Sequence, residues 1–258
     1  MPTLDDGGIP SLAKPRVSRI VLILAIMVPV AILVWLIMPR HARVREAVPK
    51  IVSSNNLAQI GRAMHTYDEA LERLPARAIC DKDGKPLLSW RVSILPFIEY
   101  AHLYAQFKLD EPWDSPHNFA LIEKMPKIYY HPKSTVNQTK GLTHYKVLAG
   151  KNTLFDQPVL VNNEWLNRWS LVKLQKAPRG TSDLILCLEA GDPVIWTKPE
   201  DFECDPDKPL PELKPLWPGN FMAVMADGQV ISFRKDFKES ALRAAIDPSS
   251  TSREELDK

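Results

Sequence analysis

From Ile20 to Met38 the chain runs for nineteen consecutive residues without a charge. At about 1.5 Å of rise per helical residue, that is close to the length that crosses a hydrocarbon core. Beyond Pro39 the composition turns polar, yet apolar residues return at Leu57, Ile60, Met64, Tyr67, Leu71 and Leu74, spaced three, four, three, four and three apart. That spacing draws one apolar stripe down a helix. The two features together predict a helix rooted in a membrane whose later turns pack onto a soluble domain, and the lipid bilayer is the partner expected for Ile20 to Met38.

Around this helix the chain divides into a polar tail at 1–19, the span at 20–38, a juxtamembrane and packing helix at 39–75, a soluble domain at 76–247 and a disordered polar tail at 248–258. The basic flank of Lys14, Arg16 and Arg19 ahead of the apolar run has the form of either an anchor or a secretory signal. The run is longer than a signal core and no A-x-A site follows it, which favours the uncleaved anchor. Arg40, Arg43, Arg45 and Lys50 on the far side balance that flank, so charge does not fix the orientation. Pro39 and Pro49 each remove a helix donor, which predicts a bend at one or both. Ser53 or Ser54 is then placed to cap a fresh helix that Pro75 ends.

The rest reads as a mixed α+β domain. Asp83-Gly84 and Asp227-Gly228 each lie between apolar runs and predict hairpins; the first strand of the second hairpin, Phe221 to Ala226, is apolar on both faces and so belongs in the middle of a sheet. Strands are also expected at Tyr145 to Ala149, Pro158 to Val161 and Leu184 to Leu188. A broken helix is expected at Arg91 to Phe107, a short helix after Pro116 with Ser115 as its cap, and a closing helix at Ser240 to Ile246. The run from Lys198 to Pro218 is proline-rich and acidic and predicts loop.

Two groups of residues have the chemistry to hold a metal. Asp110, Glu111, Asp114 and His117 offer oxygen and nitrogen donors over eight positions, although a turn capped at Ser115 explains the same residues. Glu200, Asp201, Glu203, Asp205 and Asp207 alternate along a loop in a way that suits Ca²⁺ or plain solvation, without the glycine and closing glutamate of an EF-hand. No G-x-S-x-G elbow, P-loop or G-x-G-x-x-G occurs, so no catalytic residue and no cofactor are assigned. With a net charge of +2 and no nucleic-acid module, nucleic acid is not an expected partner. Cys80, Cys187 and Cys204 are widely spaced and read as small buried thiols or as at most one bridge. Trp90, Trp113, Trp165, Trp169, Trp196 and Trp217 are either core anchors or, in part, stacking surfaces for a sugar.

Several stretches also resemble a large domain-of-unknown-function family with a prepilin-type N-terminus that is abundant in planctomycete bacteria. They are Ser54-Asn55-Asn56-Leu57-Ala58-Gln59-Ile60-Gly61, Asp83 to Val92, Phe107 to Asn118, Trp196 to Asp201 and Ala226-Asp227-Gly228-Gln229-Val230. The resemblance implies a pseudopilin-like design, with an N-terminal membrane helix continuing into a helix packed on an antiparallel sheet, and a soluble domain outside the cytoplasm. It implies no activity. The chain departs from the family pattern in three places. Where the prepilin processing motif belongs, it has Val17-Ser18-Arg19-Ile20-Val21-Leu22, without the glycine or the glutamate. The family's cysteines before Ser-Asn-Asn and in Tyr-Arg-Cys-Pro are here Ser53 and His131. Joint loss of both is what a disulfide between them in relatives would produce. The function expected on these grounds is a single-pass, membrane-anchored structural or interaction protein of the cell envelope with other envelope proteins as partners, or alternatively an extracytoplasmic domain that binds a sugar, a peptide or Ca²⁺.

Overall fold

The computed structural model of the chain describes residues 19–133, 140–156, 158–176, 178–252, 254 and 256, with the side chains of 19–22, 24 and 36–46 outside the description. The expected polar tail falls on residues 1–18, outside it as well. The chain divides into two compact units, Met1–Val48 and Pro49–Lys258.

In the first unit, helix α1 begins at Arg19; it ends at Leu71 in the second. Among the described residues no helix is long and apolar enough to cross a membrane. Of the apolar run Ile20 to Met38, the side chains at 23 and 25–35 are described and every one is exposed. The rest of that run lies outside the described side chains.

Helix α1 passes Pro39 in the first unit and Pro49 in the second without a break, so the expectation of a fresh helix capped by Ser53 or Ser54 is corrected. Ser53 is fully buried in mid-helix and its hydroxyl is directed across to other elements. The apolar stripe holds over its first turns, where Leu57, Ile60 and Met64 are fully buried and Tyr67 half-buried; Leu71 is exposed instead, and the buried Leu74 lies past the end of the helix. The helix stops at Leu71, where Glu72 takes a left-handed conformation (φ 57°), ahead of Pro75.

Next come strands β1 (Ala78–Cys80) and β2 (Pro86–Ser89), which pair antiparallel around Asp83-Gly84. The broken helix is α2 (Trp90–Ser93), a 3-10 turn at Leu95–Ile98 and α3 (Ala101–Tyr104). Helix α4 (Pro116–Phe119) starts as expected, with the Ser115 hydroxyl accepting from the Asn118 amide. Strands β3 (Leu142–Lys146) and β4 (Leu148–Ala149) follow, then a hairpin of β5 (Val159–Val161) and β6 (Glu164–Leu166), and helix α5 (Leu171–Gln175). The last elements are β7 (Ile185–Ile195), β8 (Phe202–Glu203), β9 (Asn220–Met225), β10 (Val230–Arg234) and α6 (Glu239–Ile246).

The architecture is α+β. Its main sheet has the order β10-β9-β7-β3, antiparallel throughout, and β9 lies inside it as its two apolar faces require. Met222 and Val224 face the core that holds Leu57, Ile60 and Met64 of α1. Phe221, Ala223 and Met225 face a second core with Phe233 and with Ala241, Leu242 and Ala245 of α6. The sheet is thus covered on both sides. Helix α1 approaches it so closely that a Cβ at Gly61 would lie 2.6 Å from Val224 Cγ2. Only a glycine lets the helix seat at that depth. Of the expected C-terminal tail at 248–258, Leu256 is buried in the second core, and Arg179 donates to the Ser252 and Glu254 carbonyls.

Candidate functional site

Two polar networks organise the interior, and one strand carries both. Glu189, fully buried on β7, receives Ser53 Oγ from α1, Trp217 Nε1, and His131 Nε2 at 3.0 Å. Because the Ser53 proton is committed to the carboxylate, Tyr145 donates to Ser53 Oγ (2.8 Å), and Asn56 Nδ2 donates to the Tyr145 hydroxyl (3.1 Å). The relay Asn56, Tyr145, Ser53, Glu189 fastens the helix to the sheet. Burial and the nearby Glu189 charge push the Tyr145 phenol far above its ordinary range, so it remains a donor. On the outer side of the cluster the ammonium of Lys133 stands 4.5 Å from the centre of the Trp217 ring.

The backbone of Tyr145 belongs to the second network. Its carbonyl accepts from Arg91 Nε (2.9 Å) and Nη2 (2.7 Å), and Arg91 Nη2 also reaches Asp201 Oδ1 at 2.8 Å. Asp201 further accepts from the Val147 amide and from Trp90 Nε1. Both charged side chains are shut away from water. Burial raises the Asp201 pKa while Arg91 draws it back down. The pattern of alternating acids had placed Asp201 on a solvated loop; it is instead the buried counter-ion of an arginine.

The other expected ligands stay apart. Among the described residues no three His, Cys, Asp or Glu side chains group so as to hold a metal. Glu111 pairs with Lys108, and His117 Nε2 donates to the Gln106 carbonyl at 2.7 Å. Asp110 and Asp114 flank a turn whose organiser is Asn118, a fully buried amide that holds the carbonyls of Lys108, Glu111 and Pro112. In the second acidic run Glu200 pairs with Lys198, Glu203 with Arg77, and Asp205 with Lys208 while also capping the Asp207 amide. Cys80, Cys187 and Cys204 are free thiols, and burial lifts the Cys204 pKa to about 12.

The open site is a cleft of about 450 Å³ between the end of α1, the β1–β2 hairpin, α3 and the β5–β6 hairpin. That volume is in the range of small-molecule sites, roughly 300–1,000 Å³. Its aromatic wall is Tyr67, Phe97, Tyr104 and Trp165, with Tyr67 and Phe97 meeting edge to face at 5.3 Å. Its charged groups are Arg73, Lys82, Asp81 and Glu164. Asn162 and Asn163, both at positive φ, make the tight turn that brings β6 back. Trp165 then lies over the other hairpin so closely that a Cβ on Gly84 would meet its ring at 2.9 Å. Asn167 ties the exit of β6 to the end of the α1 segment, donating to the Pro75 carbonyl at 3.0 Å. Asp68 of α1 accepts the Leu171 amide at the start of α5. Two donors inside this frame, Arg73 Nε and Trp165 Nε1, are shielded from solvent and meet no acceptor among the described residues. No spacing rule points to this cleft, because its walls come from four separate stretches between Tyr67 and Asn167.

The fold and the site define a mixed α+β domain with a cross-linked polar interior and an aromatic-walled cleft. Residues 42–169, which include α1 from residue 42 onward and every wall of the cleft, match the model of a family described as a protein of unknown function (DUF1559). The chain is therefore similar to a domain-of-unknown-function family over that stretch. No curated protein and no solved structure matches it.

Proposed function

We propose that the protein is a membrane-anchored interaction protein of the cell envelope, pseudopilin-like in design, which acts by binding rather than by a chemical step. The observation that carries this reading is the surface of the first unit. Ile23, Ile26, Met27, Val28, Val30, Ile32, Leu33, Val34 and Trp35 are exposed by 43 to 74%. Consecutive positions on a helix point about 100° apart, so these side chains cover every side of it. A helix apolar all round needs an apolar surrounding, and the nineteen uncharged residues from Ile20 to Met38 are of spanning length. The soluble unit supports the pilin-like half of the reading, because a long N-terminal helix lies against an antiparallel sheet there. In this reading the soluble domain lies outside the cytoplasm. Protease added to intact spheroplasts should then remove the domain beyond Pro49, and full protection would overturn the orientation.

A ligand-binding reading is favoured by the cleft, which joins an aromatic wall to two buried donors that meet no acceptor among the described residues. Buried donors without acceptors cost about 1–3 kcal/mol each, and a bound ligand would remove that cost. The two readings are compatible, since an anchored domain with a binding cleft is one kind of interaction protein.

A further inference from the structure

We infer that the cleft between the β1–β2 and β5–β6 hairpins binds a neutral saccharide, of the size of a mono- or disaccharide, with its ring against Trp165; this rests on the ligand-binding reading above. Volume sets the scale first, since about 450 Å³ suits a small ligand and is too little for a folded partner. Charge comes next. The lining carries Arg73 and Lys82 against Asp81 and Glu164, two cations and two anions, so it offers no net attraction to an anion or a cation. A neutral ligand is the one such a lining does not penalise.

Hydrogen bonding narrows the class. Arg73 Nε and Trp165 Nε1 present N–H groups that need acceptors. Asp81 and Glu164, both lining the cleft, present carboxylate oxygens that can accept from a ligand; Asp81 Oδ1 already takes the Asp83 and Lys85 amides. A ligand that serves both sets must donate and accept at many positions around a small frame. Hydroxyl groups do both, and a polyhydroxylated ring carries several. The aromatic wall supplies the remaining contact. The C–H faces of a sugar ring are apolar and lie flat on an indole or phenol, while its hydroxyls point outward to the polar rim. Trp165 offers both kinds of contact, a face for the ring and an N–H for a hydroxyl oxygen. The hairpin that carries it is exposed at Val159, Leu160 and Val161, while its Trp165 end lies against Gly84.

Cys80 gives the test its readout, because it is a free, half-buried thiol on the cleft wall, whereas Cys187 and Cys204 are buried elsewhere. The full chain, held in a detergent without a sugar headgroup, is labelled at Cys80 with a maleimide in the presence of neutral mono- and disaccharides of glucose, galactose, mannose and N-acetylglucosamine. The same labelling is run with neutral dipeptides and with calcium chloride. Slower Cys80 labelling and a raised Tm with at least one saccharide are expected. Trp165→Phe keeps a ring face but removes the N–H, and together with Arg73→Gln it should weaken that saccharide by about tenfold or more, with unchanged far-UV circular dichroism. Protection by dipeptides or calcium, with none by any saccharide, overturns the saccharide assignment and leaves the ligand-binding reading standing. No protection by any of these probes overturns both. Saccharide protection that persists undiminished in the Trp165→Phe/Arg73→Gln variant places the site elsewhere and also overturns the inference.

Discussion

Ser53 on α1 and His131 in the loop before β3 hydrogen-bond to the same oxygen, Oε2 of the buried Glu189. Here a carboxylate joins them through hydrogen bonds, with Trp217 as a third donor. Buried polar atoms that lose a hydrogen-bond partner cost stability. Replacing Ser53 by Ala removes one donor to the acid and the acceptor for Tyr145, and should lower stability by about 1–3 kcal/mol in urea unfolding. Glu189→Leu strands three donors at once and should cost more than Ser53→Ala. Equal stability of wild type and Ser53→Ala would mean that the network does not hold the helix to the sheet.

The Arg91–Asp201 pair gives a sharper energetic test. Arg91→Leu leaves Asp201 charged, buried and without its cation, a loss on the order of 3–5 kcal/mol. Removing both charges as Arg91→Leu/Asp201→Leu should recover part of that loss, although Trp90 Nε1 and the Val147 amide then lose an acceptor. The exposed Arg234–Asp236 pair serves as the control, and breaking it should change stability by less than about 1 kcal/mol. Paired urea titrations decide the matter, and a double variant less stable than Arg91→Leu would contradict this account.

Gly61→Ala probes the seating of α1. In an exposed helix the change would help by about 1 kcal/mol through propensity. Here the added methyl meets Val224 in the middle of the sheet, and overpacking of this kind costs about 1–3 kcal/mol. A drop in Tm is expected. Gly61→Ala with Val224→Ala should restore much of the loss if the clash is its cause.

His144 makes stability depend on pH. Burial, with His131 and Lys146 nearby, lowers its pKa below the ordinary 6.5; the Gly191 carbonyl, which accepts from Nδ1 at 2.8 Å, and Glu189 act the other way. The unfolded chain therefore binds the proton more tightly than the folded one. Stability from this group is fully present above about 6.5 and is lost as pH falls through the lower folded value. In His144→Asn the amide can still donate to Gly191, but the titration is gone. Its urea midpoint should fall less steeply between about pH 7 and pH 5 than that of the wild type. Parallel curves would assign the slope to other groups.

Much of the frame is legible in the sequence because it depends on local rules. Asp83-Gly84 and Asp227-Gly228 mark hairpins through turn chemistry, and the stripe from Leu57 to Tyr67 marks a packing face through its period. What the sequence hides is non-local. Ser53 reads as a cap because Pro49 stands four residues before it, yet its partners, Tyr145 and Glu189, come from two distant strands. Asp201 reads as one acid among five until Arg91 is placed beside it. Strand β6 carries its exposed Glu164 and half-buried Trp165 on a short, weakly patterned run, and its role appears only when the two hairpins meet.

Membrane attachment is the central claim, and alkaline carbonate extraction of cell membranes tests it most directly. The wild-type chain should stay in the membrane pellet, whereas Ile26→Arg/Val30→Arg, which puts two charges into the apolar run, should shift into the soluble fraction. Release of the wild-type chain by carbonate would contradict an anchor at Ile20 to Met38.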